Sequence, residues 1–189
     1  MVAGEVQRLA GGTGQRWTNE NPLLRSGAMV VAQKLASEEI RTLPLSRSPE
    51  ALDELGRVLG QLKEHEAAQN RESDSVDSAL KHAGEAHSIV NALRTQAANR
   101  TTLLLTNDGG AIKVARNNGV PVKHVGGLLR ELGCEDGDLE PKGLYDDFVS
   151  ITEKFASVPA AYRPASPLDF TCRKTGDGSC SLCPQTVAR

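Results

Sequence analysis

The stretch LLLTNDGGAIKVARNNGVPV, residues 103–122, decides how this chain is read. It reads as strand, acidic turn, helix, strand. Leu103, Leu104 and Leu105 form a short apolar run beside threonines, which suits a buried strand. Thr106, Asn107 and Asp108 end that strand, and Gly109 and Gly110 loosen the turn. A helix is expected from about Ala111 to Asn118, closed by Gly119. Val120, Pro121 and Val122 begin a second extended segment. Such a unit puts Asp108 at the carboxyl end of a parallel strand, where open α/β sheets build their sites.

The segments before it read mostly as helices. Val2, Val6 and Leu9 recur at helical spacing in VAGEVQRLA, with Glu5 beside that stripe. A second helix is expected from Asn21 to about Glu39, with Pro22 early in it, where a missing N–H does little harm. Its stripe is Leu23, Leu24, Ala28, Val31, Ala32 and Leu35. Ile40 to Leu45 alternates apolar and polar and reads as an edge strand because of Pro44. Ser48, Pro49 and Glu50 form a helix start. Leu52, Leu55, Val58, Leu59 and Leu62 then mark an amphipathic helix to about Ala68. Another helix starts near Gly84, with Ala86, Ile89, Val90, Leu93 and Ala97 inward and Glu85 in its first turn.

After the central stretch, VGGLLREL (125–132) is expected to be a short helix. A last helix at 143–156 would put Leu144, Phe148, Ile151 and Phe155 on one face. From Pro159 the composition turns to Pro, Ser, Thr and Gly, so residues 1–158 read as the domain and 159–189 as a disordered tail.

Composition narrows the function. The 189 residues suffice for one domain with a core. Aromatic residues make up only 3%, against a protein that stacks bases on aromatic platforms. The net charge of −2 carries no strong basic footprint for nucleic acid. No apolar stretch is long enough to span a membrane, and MVAGEVQRLAGG lacks the pattern of a signal peptide. The expectation is a cytoplasmic protein with no membrane partner, and four cysteines fit a reducing compartment.

Three carboxylates stand out by position: Glu5 in the first helix, Glu85 at a helix start and Asp108 at a strand end. The segments that carry them, EVQRLA (5–10), GEAHSIVNAL (84–93) and TNDGGAIKVARNNGVPV (106–122), resemble in order and separation three segments of a PIN domain. The middle one resembles the GEAEAI-like helix start of one branch. The resemblance covers roughly residues 2–132. It implies a three-layer α/β/α fold with a parallel sheet. It implies a metal-dependent nuclease that hydrolyses the phosphodiester bonds of RNA, in many members the toxin of a toxin–antitoxin pair. It further implies Mg²⁺ or Mn²⁺ held by Glu5, Glu85 and Asp108, with Thr106 orienting a carboxylate or a water. An antitoxin or other protein partner and a homo-oligomer are implied too. Hard divalent cations take oxygen ligands, which fits an acidic cluster.

The chain departs from that pattern in one respect. PIN domains open with a central strand ending in aspartate, and no such strand precedes Glu5. Two expectations remain open: a start set too far downstream, or a degenerate, inactive copy. A non-catalytic PIN-like interaction module is the alternative function.

Each signal also has a plainer reading. Asp108 is a natural helix cap, Glu85 favours a helix dipole, and Glu5 is an ordinary solvated charge. His82 and His87 flank Glu85 and suit a wet surface or a phosphate equally. Arg94, Lys113, Arg116 and Lys123 could rim an RNA path. Cys172, Cys180 and Cys183, the last two as C-S-L-C, would need Cys134 as a fourth ligand to bind zinc.

Overall fold

A computed structural model describes residue 10 and residues 22–69, 82–154 and 158–171. The described chain is mixed α/β, mostly helical with one small parallel sheet. Its elements are α1 (Pro22–Ala36), α2 (Pro49–Ala67), α3 (Ala83–Ala97), β1 (Leu104–Leu105), α4 (Gly109–Asn117), β2 (Val122–Lys123), α5 (Val125–Glu135) and α6 (Pro141–Lys154). Two 3-10 helices follow, Ala160–Tyr162 and Pro167–Phe170. The helix expected over residues 2–10 lies outside the described residues apart from Ala10, which is helical. No helix among the described residues is long and apolar enough to cross a membrane.

The chain divides into two compact units, Met1–Leu59 with Ser73–Asn91, and Gly60–Glu72 with Ala92–Arg189. In the first, α2 starts where its sequence says. The Ser48 hydroxyl accepts the Ala51 N–H at 3.3 Å, and Pro49 and Glu50 follow in the first turn. Among its described residues the buried side chains are Ala28, Ala51, Val58, Ala86, Ile89 and Val90. The α3 stripe is therefore as its periodicity requires at Ala86, Ile89 and Val90, fades at the half-buried Leu93 and fails at Ala97, which is exposed. The α2 stripe holds at Val58 and Leu62, both buried, and at the half-buried Leu55 and Leu59; only at Leu52 does it fail, where that side chain is exposed and Ala51 is fully buried instead. The strand expected over Ile40–Leu45 does not form: residues 41–47 are irregular. Pro44 cannot donate to a ladder, and the Leu43 carbonyl accepts from the Asn91 amide at 3.0 Å instead.

The second unit holds the sheet. β1 and β2 run parallel, with Leu104 opposite Val122 and Leu105 opposite Lys123. The connection between them is α4, which buries Ala111, Ile112, Val114 and Ala115. Gly119, at φ 76°, ends that turn in the left-handed region open to glycine, and Val120 is buried beyond it. The Asn118 amide adds a donor to the Val114 carbonyl and another to Gln61 Oε1, both at 2.8 Å.

Beside the sheet lies a core of Leu144, Phe148, Val158 and Phe170, against which Val125, Leu129, Tyr145, Val149 and Tyr162 pack. The expected tail boundary at Pro159 falls inside this packing. Pro167 opens the second 3-10 helix, and the Asp169 carboxylate accepts the N–H groups of Ala165 (2.6 Å) and Ser166 (3.3 Å). That local lock presents Phe170 to the core, where its ring lies 6.3 Å from those of both Tyr145 and Phe148. Gly133 is required at this contact. A Cβ there would stand 2.6 Å from Leu144 Cδ1 and 3.2 Å from the Phe170 carbonyl oxygen.

Candidate functional site

The carboxyl ends of β1 and β2 gather the polar residues of the second unit. β1 is held to β2 by the Leu104 N–H on the Pro121 carbonyl (2.9 Å) and the Thr106 N–H on the Lys123 carbonyl (3.1 Å). Past those bonds the chain turns, and three side chains fix the turn. The Thr106 hydroxyl accepts the Asp108 N–H at 3.2 Å. Asn107 Oδ1 accepts the Val125 N–H at 3.0 Å, joining the end of one strand to the helix that follows the other. Asp108 Oδ1 accepts the Ala111 N–H at 2.7 Å and caps α4.

Gly109 and Gly110 are the first two residues of α4 rather than a loose turn. Their bareness serves close approach. A Cβ on Gly109 would lie 2.8 Å from Pro159 Cγ. One on Gly110 would meet Asp108 Oδ1 and His65 Cδ2, each at 3.2 Å. His65, in the last turn of α2, therefore shares the neighbourhood of Asp108, and it also pairs with the Gln69 amide at 2.8 Å.

At the end of β2 stands His124, the N-cap of α5, whose Nδ1 faces the Gly127 N–H at 3.4 Å. Its ring lies against Tyr162 with centroids 5.3 Å apart. Tyr162 in turn carries Arg116: the guanidinium carbon is 5.1 Å from the ring centroid, and Nη1 donates to the phenol oxygen at 3.3 Å. Burial holds the His124 pKa below its ordinary 6.5, and the positive charges of Arg130 and Arg116 press it the same way. His65, His124 and Tyr162 are site residues that sequence reading missed. For His124 a signal existed, a histidine between a strand and a helix start; for Tyr162 none did.

The sequence-derived residues divide. Thr106 and Asp108 stand together at the strand end, and Asp108 is exposed. Glu85 is half-buried in the first turn of α3, in the first unit. Glu5, Cys172, Cys180 and Cys183 lie outside the described residues. His82 precedes α3 with a left-handed φ of 66°, and His87 is half-buried. Lys123 is not part of a basic rim. It is buried, and its ammonium pairs with the Glu131 carboxylate. Burial of a lysine requires such a partner.

Asp108 is a hard oxygen donor of the kind Mg²⁺ or Mn²⁺ takes. Among the described residues, however, no group of three or more His, Cys, Asp or Glu side chains stands together as a metal site. The described residues therefore do not by themselves make up a ligand set for the expected ion. The sequence matches no family model, no curated protein and no solved structure.

Proposed function

We propose that the chain is a PIN-like ribonuclease of the cytoplasm, three-layered α/β/α, whose reaction is phosphodiester hydrolysis in RNA with Mg²⁺ or Mn²⁺. Asp108, Glu5 and Glu85 are its acids, and Thr106 positions the Asp108 backbone. The observation that carries this reading is the exposed Asp108 carboxylate at the carboxyl end of a parallel strand, opening the crossover helix. In sheets of this type that edge is where ligands bind. Toxin activity, restrained by an antitoxin, is the biological form that the resemblance suggests.

The test is RNA cleavage by the purified chain with Mn²⁺, beside Asp108→Asn. Asparagine keeps a capping oxygen and removes the charge. Loss of metal-dependent cleavage with the fold intact supports the reading; undiminished cleavage rejects Asp108 as a functional acid.

A specific observation favours a second reading, a non-catalytic PIN-like interaction module. Asp108 Oδ1 is already engaged as a cap, while Leu105 on β1 is 58% exposed. This reading expects no heat of Mn²⁺ binding in calorimetry and a stable protein partner in a pull-down.

A further inference from the structure

The geometry points to an anion site for the phosphodiester backbone of single-stranded RNA, built from Arg116, Tyr162, His124 and Arg130 beside the strand ends. The choice of RNA rests on the function proposed above; the cationic chemistry does not.

Arg116 leaves the last turn of α4 and is exposed. An exposed arginine ordinarily samples many rotamers, at a cost of about 2 kcal/mol when it is ordered. Here the Tyr162 ring lies under the guanidinium and the phenol oxygen accepts one of its N–H groups. Much of that ordering is done before any ligand arrives, which is how preorganisation raises affinity. A guanidinium on an aromatic face keeps its outer N–H groups in one plane, the geometry that meets two phosphate oxygens at once.

Charge around it is one-sided. The His124 ring packs on the same tyrosine and feels the positive charges of both Arg130 and Arg116. Arg116 and Arg130 have no ion pair among the described residues. Arg130 Nε is buried with no acceptor among the described residues, and a buried donor without a partner costs on the order of 1–3 kcal/mol. The neighbouring acid Glu131 gives its Oε2 to Lys123, while its Oε1 is buried without a hydrogen-bond partner among the described residues. The Arg116 guanidinium and the His124 imidazole thus share one tyrosine ring, and among the described residues neither arginine has an ion pair, which is the complement of an anion.

Position supplies the ligand class. His124 follows β2 as Thr106, Asn107 and Asp108 follow β1, and the strands are adjacent and parallel. Arg116 stands in the last turn of the helix that Asp108 opens, roughly 12 Å along it, and its guanidinium lies on the ring that His124 also touches. One nucleic-acid strand can reach both, whereas an isolated small anion needs only the first. Tyr162 serves as a support for Arg116, so the scarcity of aromatic residues is no obstacle.

The experiment is binding without cleavage. A 5′-labelled single-stranded oligoribonucleotide is titrated with the full chain in EDTA, read by fluorescence anisotropy at several salt concentrations. Arg116→Ala, Arg130→Ala and Tyr162→Phe are compared with the parent, with unfolding curves on each. Arg116→Ala is expected to weaken binding about tenfold and to lower the salt slope by about one. Tyr162→Phe keeps the ring and drops only the hydroxyl, so a smaller loss is expected. Arg116→Lys, which retains charge but not the fork, is the second variant if the alanine form unfolds; it should restore the salt slope but not the affinity. No binding by the parent, or affinity equal to the parent's in both Arg116→Ala and Arg130→Ala, overturns the site. Displacement of the RNA by inorganic phosphate at equal phosphate concentration overturns the nucleic-acid assignment. Arginine-dependent binding without any Mn²⁺-dependent cleavage supports the site while the nuclease reading fails.

Discussion

Asn107 and Val125 are joined across the strand ends: the asparagine side-chain oxygen accepts the valine N–H at 3.0 Å. The bond satisfies a donor that the first turn of α5 leaves open. Asn107→Ala should cost about 1–3 kcal/mol, because the half-buried N–H loses its acceptor. Asn107→Asp, which keeps the oxygen, should retain most of the stability. Urea unfolding at matched slopes measures both. Equal midpoints for the alanine variant and the parent would remove the bond from this account.

Asp108 both caps α4 and is the proposed acid, and two substitutions separate these roles. Asp108→Ala loses the 2.7 Å bond to the Ala111 N–H and should cost about 0.5–2 kcal/mol. Asp108→Asn should leave stability within a few tenths of a kcal/mol, since Asn caps about as well as Asp. Thermal melts and RNA cleavage, measured side by side, distinguish a cap from an acid.

Lys123 is buried at the end of β2 and its ammonium is matched by Glu131. Glu131→Gln strands that charge and should destabilise by about 3 kcal/mol, the lower end for a buried pair because the glutamate is partly exposed. Lys123→Met with Glu131→Leu together should recover most of the loss. Strict additivity of Lys123→Met and Glu131→Leu, each measured alone and together in a double-mutant cycle, would mean that the pair contributes nothing as a pair.

His124 makes stability depend on pH. Burial, then Arg130 and Arg116, hold its folded pKa below 6.5. The unfolded chain therefore binds more protons there as the pH falls. Its contribution is complete above pH 6.5 and is lost as the pH drops below 6.5 through the lower folded value. The difference in unfolding free energy between about pH 8 and about pH 5 should shrink in His124→Gln. An unchanged pH slope in that variant would show that other groups set it.

Phe170 completes the core of the second unit at 2% exposure. Phe170→Ala should cost about 3–5 kcal/mol, the range for emptying an aromatic site. Truncation after residue 158 should destabilise at least as much, while truncation after residue 171 keeps the packing. Hydrogen exchange at Leu144 and Phe148 amides reads the effect locally.

Much of the local structure was legible in the sequence. Ser48-Pro49-Glu50 announced α2, Gly119 announced the end of α4, and the apolar spacing of Ala86, Ile89 and Val90 gave the buried face of α3. Asp108 fell where strand–turn–helix reading put it, and its capping role was visible as well. What escaped depends on partners far along the chain. Lys123 reads as a surface lysine until Glu131 is set beside it. Ile40–Leu45 alternates like a strand, but alternation does not supply a neighbouring strand. Phe170 sits among Pro, Ser and Thr, and nothing local marks it as core. The Arg116–Tyr162–His124 arrangement joins three elements, and no window of sequence contains all three.

The packing of Pro159 on Gly109 and of Tyr162 under Arg116 has a consequence for synthesis. β1, α4 and β2 emerge from the ribosome before the groups beyond residue 158 that steady them exist. Until Tyr162 and Phe170 have been made, Arg116 has no ring to rest on and Leu144 and Phe148 lack their cover. A nascent chain halted short of Phe170 is thus a species with exposed apolar faces, the kind that chaperones hold. Protease sensitivity of chains stalled on either side of that residue would display the step: cutting within α6 should cease only once Phe170 is out.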